Sequence, residues 1–196
     1  MSKGSIALIV IGALILILVG STLTSYNTLV AKDEAVSTAW ANVQSQYQRR
    51  ADLIPNLVNT VKGYAKHESS TLEQVVSARA KATQLTVDAN SLTPEKMAQL
   101  QAAQGELSQA IGRLLMISEQ YPTLKADENF SELQAQLEGT ENRINESRNR
   151  YNEKVREYNI KVRRFPANIV ASLFGFDKRT PFSAEAGADK APSVNF

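Results

Sequence analysis

The stretch Leu133–Phe165, LQAQLEGTENRINESRNRYNEKVREYNIKVRRF, decides the fold. Leu137, Ile144, Tyr151, Tyr158 and Phe165 recur at strict intervals of seven, and Leu133, Val155 and Val162 support the same stripe. Apolar residues repeating this way share one face of a helix, whereas a strand would alternate apolar and polar at every second position. No proline interrupts the run. Asn129-Phe130-Ser131-Glu132, just before it, has the spacing of a capping box and predicts the start of a long helix.

Three more helices can be read upstream. Leu100, Leu107, Leu114 and Tyr121 again lie seven apart. Thr93-Pro94 supplies a cap and a first-turn proline for that helix, and Pro122 is expected to end it. Ser70-Thr71-Leu72-Glu73 predicts another helix from Thr71 to about Asp88, with a break over Asn90–Thr93. Before it, Leu29, Val36, Trp40, Val43, Tyr47, Ile54, Leu57, Val61 and Tyr64 form one stripe, in which Asp33 and Arg50 are the polar exceptions. Pro55 removes a backbone donor there and should kink or pause the helix without ending the stripe. Gly63 and the stretch from His67 to Ser70 close it. Four amphipathic helices joined by short breaks predict an all-α fold, an antiparallel up-and-down four-helix bundle.

Ahead of the bundle lies Gly4–Leu23, a run of 20 residues without charge, in which Ile6–Val19 holds only Ile, Leu, Val, Ala and one Gly. A helix of that length crosses the ~30 Å hydrocarbon core of a bilayer. A buried core helix is rarely apolar on every face over such a length. A cleaved signal sequence would have a shorter apolar region and a small-x-small site, and Leu18-Val19-Gly20 lacks the first small residue. The segment therefore reads as a retained transmembrane anchor. Lys3 precedes it, and Lys32 on the far side is followed by Asp33 and Glu34, so the basic count slightly favours a cytoplasmic start and a bundle outside the cytoplasm.

Composition excludes much chemistry. The 196 residues contain no cysteine, which removes disulfides, thiol catalysis and cysteine-ligated metals. One histidine, His67, narrows enzyme chemistry further, since a multi-histidine metal site needs more. His67-Glu68 begins like a zinc-protease motif, but Ser69-Ser70-Thr71 follows and the second histidine is missing. Gly105–Gly112 lacks the Lys-Ser/Thr of a phosphate loop. No acidic pair stands at a spacing that marks an acid and a base. Twenty-two basic residues against 20 acidic ones leave a net charge of +2, too balanced to suggest nucleic acid, and the mean hydropathy of −0.26 averages an apolar start with a polar remainder. No cofactor and no metal are expected.

Two clusters stand out as candidate sites. Gln46, Arg49, Arg50, Asp52 and Asn56 form the densest polar group, around the proline interruption. Arg49, Asp52 and Asn56 share one helical face, and Gln46 and Arg50 another, while Pro55 frees the Ala51 carbonyl as an acceptor. The group reads either as a recognition surface or as a polar network fixing helix register, and the second reading is favoured. The other cluster lies at the end of the last helix, where Arg143–Arg164 carries eight basic and three acidic residues. Arg163, Arg164, Phe165, Ile169, Leu173, Phe174 and Phe176 there combine basic and apolar side chains, as interfacial segments do. In an up-and-down topology this end returns to the bilayer; the alternative, slightly favoured, is that the segment packs on the base of the bundle and the arginines are a solvated face. Trp40 and Tyr47 read as core.

Two blocks resemble the LemA family. The first comprises Tyr26–Val30, Glu34, Ala39–Val43, Gln46–Val58 (QYQRRADLIPNLV), Thr60–Ala65 and His67-Glu68; the second comprises Tyr158-Asn159, Val162, Arg164–Asn168, Ala171 and Phe174–Phe176. The likeness spans residues 1 to about 182. It implies a bacterial membrane protein with one N-terminal anchor and a four-helix bundle, and no known activity or cofactor. It also implies a bundle in the cytoplasm, opposite to the charge count, so sidedness stays open. Family genes tend to neighbour those of membrane zinc metalloproteases, which suggests envelope maintenance or service to a protease system.

Together these readings give an anchor at residues 1–23, a bundle with its C-terminal amphipathic segment at 24–176, and a flexible tail at 177–196 containing Pro181, Gly187 and Pro192. The expected function is a non-enzymatic, membrane-tethered scaffold or adaptor in the bacterial inner membrane. The alternative is a lipid-interacting protein that acts through the basic end and residues 165–176. Expected partners are the lipid bilayer, an unidentified protein such as a membrane protease, and further copies of the chain.

Overall fold

A computed structural model describes residues 3–65, 67–85 and 87–183. Among these every regular element is helical: α1 (Lys3–Tyr64), α2 (Ser69–Gln84), α3 (Pro94–Ile117), α4 (Pro122–Lys125), α5 (Glu128–Arg163) and α6 (Ala167–Phe174), with 3-10 turns at Ala89–Ser91 and Ser118–Gln120. The anchor and the first helix of the body are one uninterrupted α1 of 62 residues. Its N-terminal part is long and apolar enough to cross a membrane, and Leu8, Leu14, Leu16 and Leu18 lie exposed along it. Pro55 does not break the helix, and the carbonyl of Ala51 that it leaves unpaired accepts a bond from Arg79 Nε of α2 at 2.8 Å.

Helix α5 lies antiparallel along α1. Lys32 meets Glu157 at 3.0 Å, Trp40 stacks near Tyr151 with ring centroids 5.3 Å apart, and Tyr64 Oη donates to Asp127 at 2.7 Å. Helices α2 and α3 pack together, joined at the surface by Lys81 and Glu106 at 2.9 Å. The stripe read on α1 is buried from Leu29 to Val61, and only Tyr64 at its end is exposed. On α5, Leu137, Ile144, Tyr151, Val155 and Tyr158 are buried. Beyond a small cluster around Leu29, the core divides along the axis into two: one around Trp40, Tyr151 and Tyr158, nearer the apolar run, and a distal one around Ile54, Leu57, Leu107 and Phe130.

Several helix limits differ from the sequence expectation, each for a local reason. Helix α2 begins at Ser69 without a side-chain cap, so Ser70 and Glu73 do not form the expected box. It ends at Gln84 rather than near Asp88: the Val87 carbonyl accepts from Trp40 Nε1 at 2.8 Å and Gln44 Nε2 at 3.0 Å, and the Asp88 carboxylate caps Asn90 N–H. Helix α3 stops at Ile117, before Pro122, where the Ser118 hydroxyl bonds back to the Leu115 carbonyl at 2.6 Å and the chain tightens into a 3-10 turn. Pro122 instead opens α4, where a missing N–H costs nothing. The cap of α5 is Asp127, two residues before the predicted Asn129, and its carboxylate accepts from Phe130 N–H at 2.9 Å. Thr93 caps α3 as read, with Pro94 in the first turn. Because α5 ends at Arg163, Phe165 leaves the stripe and stands 75% exposed.

The tail expectation fails for residues 177–183. Phe182 is buried between Trp40 and Tyr151, at 5.8 and 5.4 Å between ring centroids. Tyr151 Oη and the Asn152 and Asn159 side chains hold the backbone of this segment. An apolar ring that completes an aromatic cluster, with its main chain hydrogen-bonded, gains enough from burial to order a segment that has no helical period. Gly187 and Pro192 lie outside the described residues.

Candidate functional site

The polar cluster on α1 separates into two parts. Arg50 is turned inward and is only 2% exposed, in the gap between the two core clusters. Its Nη1 donates to Glu141 Oε2 of α5 at 2.6 Å and to Ser108 Oγ of α3 at 2.8 Å, and its Nη2 donates to Gln104 Oε1 of α3. The guanidinium also lies 5.8 Å from the Tyr47 ring centroid, and Arg148 Nε donates to the Tyr47 hydroxyl at 2.9 Å. Burial pushes the Tyr47 hydroxyl pKa up, against the pull of Arg148. One side chain thus ties three helices at a fixed height, which is what a polar residue in an apolar seam does for register.

The remaining residues of that cluster face outward. Arg49, Asp52 and Asn56 are exposed, and none of the three pairs with another among the described residues. Asp52 accepts instead from Gln48 Nε2 at 2.7 Å. Gln46 is half-buried, with its Oε1 enclosed and without a partner among the described residues. The sequence reading missed Gln104, Ser108 and Glu141. Gln104 was detectable, because it sits three residues before Leu107 and four after Leu100, in the α3 seam, and a polar residue there needs a polar partner across the interface.

Asp33, the second polar exception in the α1 stripe, is also paired across the fold. Its Oδ1 accepts from Arg179 Nε at 2.9 Å and Nη2 at 2.7 Å, and Arg179 Nη2 reaches Asn90 Oδ1 at 2.6 Å.

The membrane-proximal end brings the second candidate cluster together. After the turn at Phe165–Pro166, α6 folds back against α1 and α5. Ala167, Val170 and Ala171 are buried, the last two against Leu29. Gly175 closes the helix in the left-handed region at φ 74°, where the absence of a Cβ removes the strain. Phe174 and Phe176 meet Tyr26 edge-on, at 5.0 and 5.7 Å between ring centroids. Tyr26 lies three residues past Leu23, the end of the apolar run. Of the seven residues proposed for a membrane interface, Arg163, Arg164, Phe165, Ile169, Leu173 and Phe174 are exposed, and Leu173 reaches 74%. Phe176 is half-buried and belongs to the packing. One face of the segment thus packs on the base of the body, as one of the two readings expected, and the other leaves apolar side chains exposed beside Tyr26.

A family model described as the LemA family matches residues 39–196. The chain belongs to the LemA family. The match includes residues 183–196, which the resemblance was expected to leave out, and begins beyond the Tyr26–Glu34 portion of the first block. Among curated relatives, this LemA-family chain is similar to magnetosome proteins MamQ 1 and MamQ 2 of Paramagnetospirillum magneticum, each 28% identical over 96% of this chain and 75% of the relative. Magnetosome protein MamQ of Magnetospirillum gryphiswaldense is 26% identical over 88% of this chain and 69% of its own length. These relatives and the apolar span describe a membrane-associated helical protein.

Proposed function

We propose that this LemA-family chain is a non-enzymatic scaffold of the bacterial inner membrane: residues 1–23 cross the bilayer, and residues 24–176 form an up-and-down four-helix bundle that presents its outer faces to a protein partner. The observation that carries this reading is the placement of α6 beside Tyr26. It gives the body a second attachment to the lipid, so that the bundle is held at a defined height and tilt. Exposed Arg49, Asp52 and Asn56 then offer a polar face to a partner, such as a membrane protease system engaged in envelope maintenance.

The exposed α6 face also favours a second reading, in which the chain acts on lipid directly. Fully burying an apolar side chain of this size is worth ~1.5–3 kcal/mol, and Arg163 and Arg164 add attraction to anionic headgroups. A chain beginning at residue 24 is expected to float with anionic liposomes. Ile169→Asp with Leu173→Asp should reduce flotation by on the order of tenfold or more, with helicity unchanged because both side chains are exposed. Absence of flotation before and after substitution would remove the second attachment from the proposal.

Sidedness is tested by protease added to sealed inverted inner-membrane vesicles. Digestion of a C-terminal tag places the body in the cytoplasm, and full protection places it outside.

A further inference from the structure

Residues 179–183 run extended across α5 and are held almost wholly by side chains of the body. Asn159 grips Arg179 in both directions: its Nδ2 donates to the Arg179 carbonyl at 2.8 Å and its Oδ1 accepts the Arg179 N–H at 2.9 Å. One heptad earlier on α5, Asn152 does the same for Phe182, at 3.1 Å to the carbonyl and 2.8 Å from the N–H. Between them Tyr151 Oη donates to the Thr180 carbonyl at 2.9 Å, and beyond them Gln101 Nε2 of α3 donates to the Ser183 carbonyl at 2.9 Å. Pro181, the one residue without an N–H, sits exposed where no donor is needed.

Recognition of main-chain groups by paired side-chain amides does not depend on the identity of the peptide that supplies them. Specificity comes from two flanking positions. A cation is received by Asp33 and Asn90, with its guanidinium 5.9 Å from the Tyr158 ring centroid. Three residues later an aromatic ring enters the slot between Trp40 and Tyr151, with the Arg148 guanidinium 5.3 Å from its centroid. This is the anatomy of a peptide groove: backbone contacts give affinity, and pockets for spaced side chains give selectivity.

We propose that this groove between α1, α3 and α5 is a peptide-binding site, that residues 179–183 occupy it as an internal ligand, and that it takes in trans an extended segment of a partner protein carrying an arginine followed three residues later by an aromatic. The proposal rests on the scaffold reading, for which it supplies the partner's chemistry. Of that reading it uses only the body that presents itself to a protein partner, and not the α6 attachment. Because the internal segment is tethered through only Phe176–Lys178, its effective concentration is high, and a partner must compete with it.

The experiment uses the full chain in lipid nanodiscs and a fluorescent peptide of residues 177–183, DKRTPFS, followed by anisotropy and by the emission of Trp40, the one tryptophan. Arg179→Ala with Phe182→Ala weakens the internal ligand and should bind the peptide saturably, on the order of tenfold or more tighter than the unaltered chain does. If the double variant loses its helical circular dichroism, Arg179→Ala alone serves, since it leaves the aromatic cluster in place. Adding Asn152→Ala and Asn159→Ala should abolish binding, as should replacing both the arginine and the phenylalanine of the peptide by alanine. No saturable binding to a folded variant overturns the proposal, and so does binding that the asparagine substitutions leave intact. Dimers of the unaltered chain that Phe182→Ala dissolves would reassign the groove to a second copy and overturn the partner reading. Failure of the flotation experiment leaves this result untouched, and the reverse holds as well.

Discussion

Replacing Arg50 by alanine is expected to lower the melting temperature of the chain by roughly 10 °C while leaving its helices recognisable by circular dichroism. Removing one member of a buried polar network costs about 3–5 kcal/mol, because the groups left behind stay enclosed without partners. Here Gln104, itself buried, loses the donor to its Oε1. Glu141 has 41% of its side chain exposed and rehydrates, which holds the loss toward the lower end of that range. Arg50→Met restores part of the volume and should recover some stability, though not the bond to Gln104. Glu141→Ala is a sharper control, since it leaves a buried guanidinium with only neutral acceptors. The measurement is a thermal melt of all three variants. An unchanged midpoint for Arg50→Ala would mean that the residue does not fix register.

The second large effect lies at alkaline pH. Burial pushes the hydroxyl pKa values of Tyr151 and Tyr158 up to about 12, with Asp33 adding to the rise at Tyr158 and Arg179 opposing it at both. An unfolded tyrosine ionises near pH 10, so between pH 10 and 12 the folded chain holds protons that the unfolded chain has released. The sign follows: the stabilisation is fully present below pH 10 and is lost as pH rises to about 12, on the order of 2 kcal/mol for each ring. The urea midpoint should fall steeply over that window. Tyr158→Phe isolates the contribution of one ring, and its midpoint should fall less steeply. At neutral pH the same substitution should be neutral or stabilising by about 1 kcal/mol, because the buried Tyr158 hydroxyl has no hydrogen-bond partner among the described residues. A parallel decline of both proteins above pH 10 would show that the ring does not titrate with folding.

The helices were legible because burial writes itself into spacing. Leu137, Ile144, Tyr151 and Tyr158 are buried in the order the heptads list them, and Thr93-Pro94 marks a helix start by chemistry that acts within four residues. The α6 segment was legible as an amphipathic piece next to a basic helix end. Asp33 and Arg50 were visible as polar residues in an apolar stripe, but their partners were not. Spacing within one helix says nothing about which residue of another helix stands opposite, so Glu141 and Arg179, and the pairing of Gln104 with Arg50, needed the packed structure. The helix limits at Asp127 and Gln84 were missed because the choice is settled outside the segment itself: α1 reaches over to bond Asp127 through Tyr64 and the Val87 carbonyl, just past Gln84, through Trp40. Phe182 was missed for a different reason. An extended segment of a few residues carries no period, and its order comes from Asn152, Asn159 and the aromatic cluster rather than from itself.

The absence of a joint in α1 has a mechanical meaning. Residues 24–64 continue the apolar run without a break over about 60 Å at ~1.5 Å per residue, and α2, α5 and α6 all pack along that length. With the apolar run seated in a bilayer as proposed, a lever of that length would turn a tilt of a few degrees into a shift of several ångströms at α4 and the start of α5.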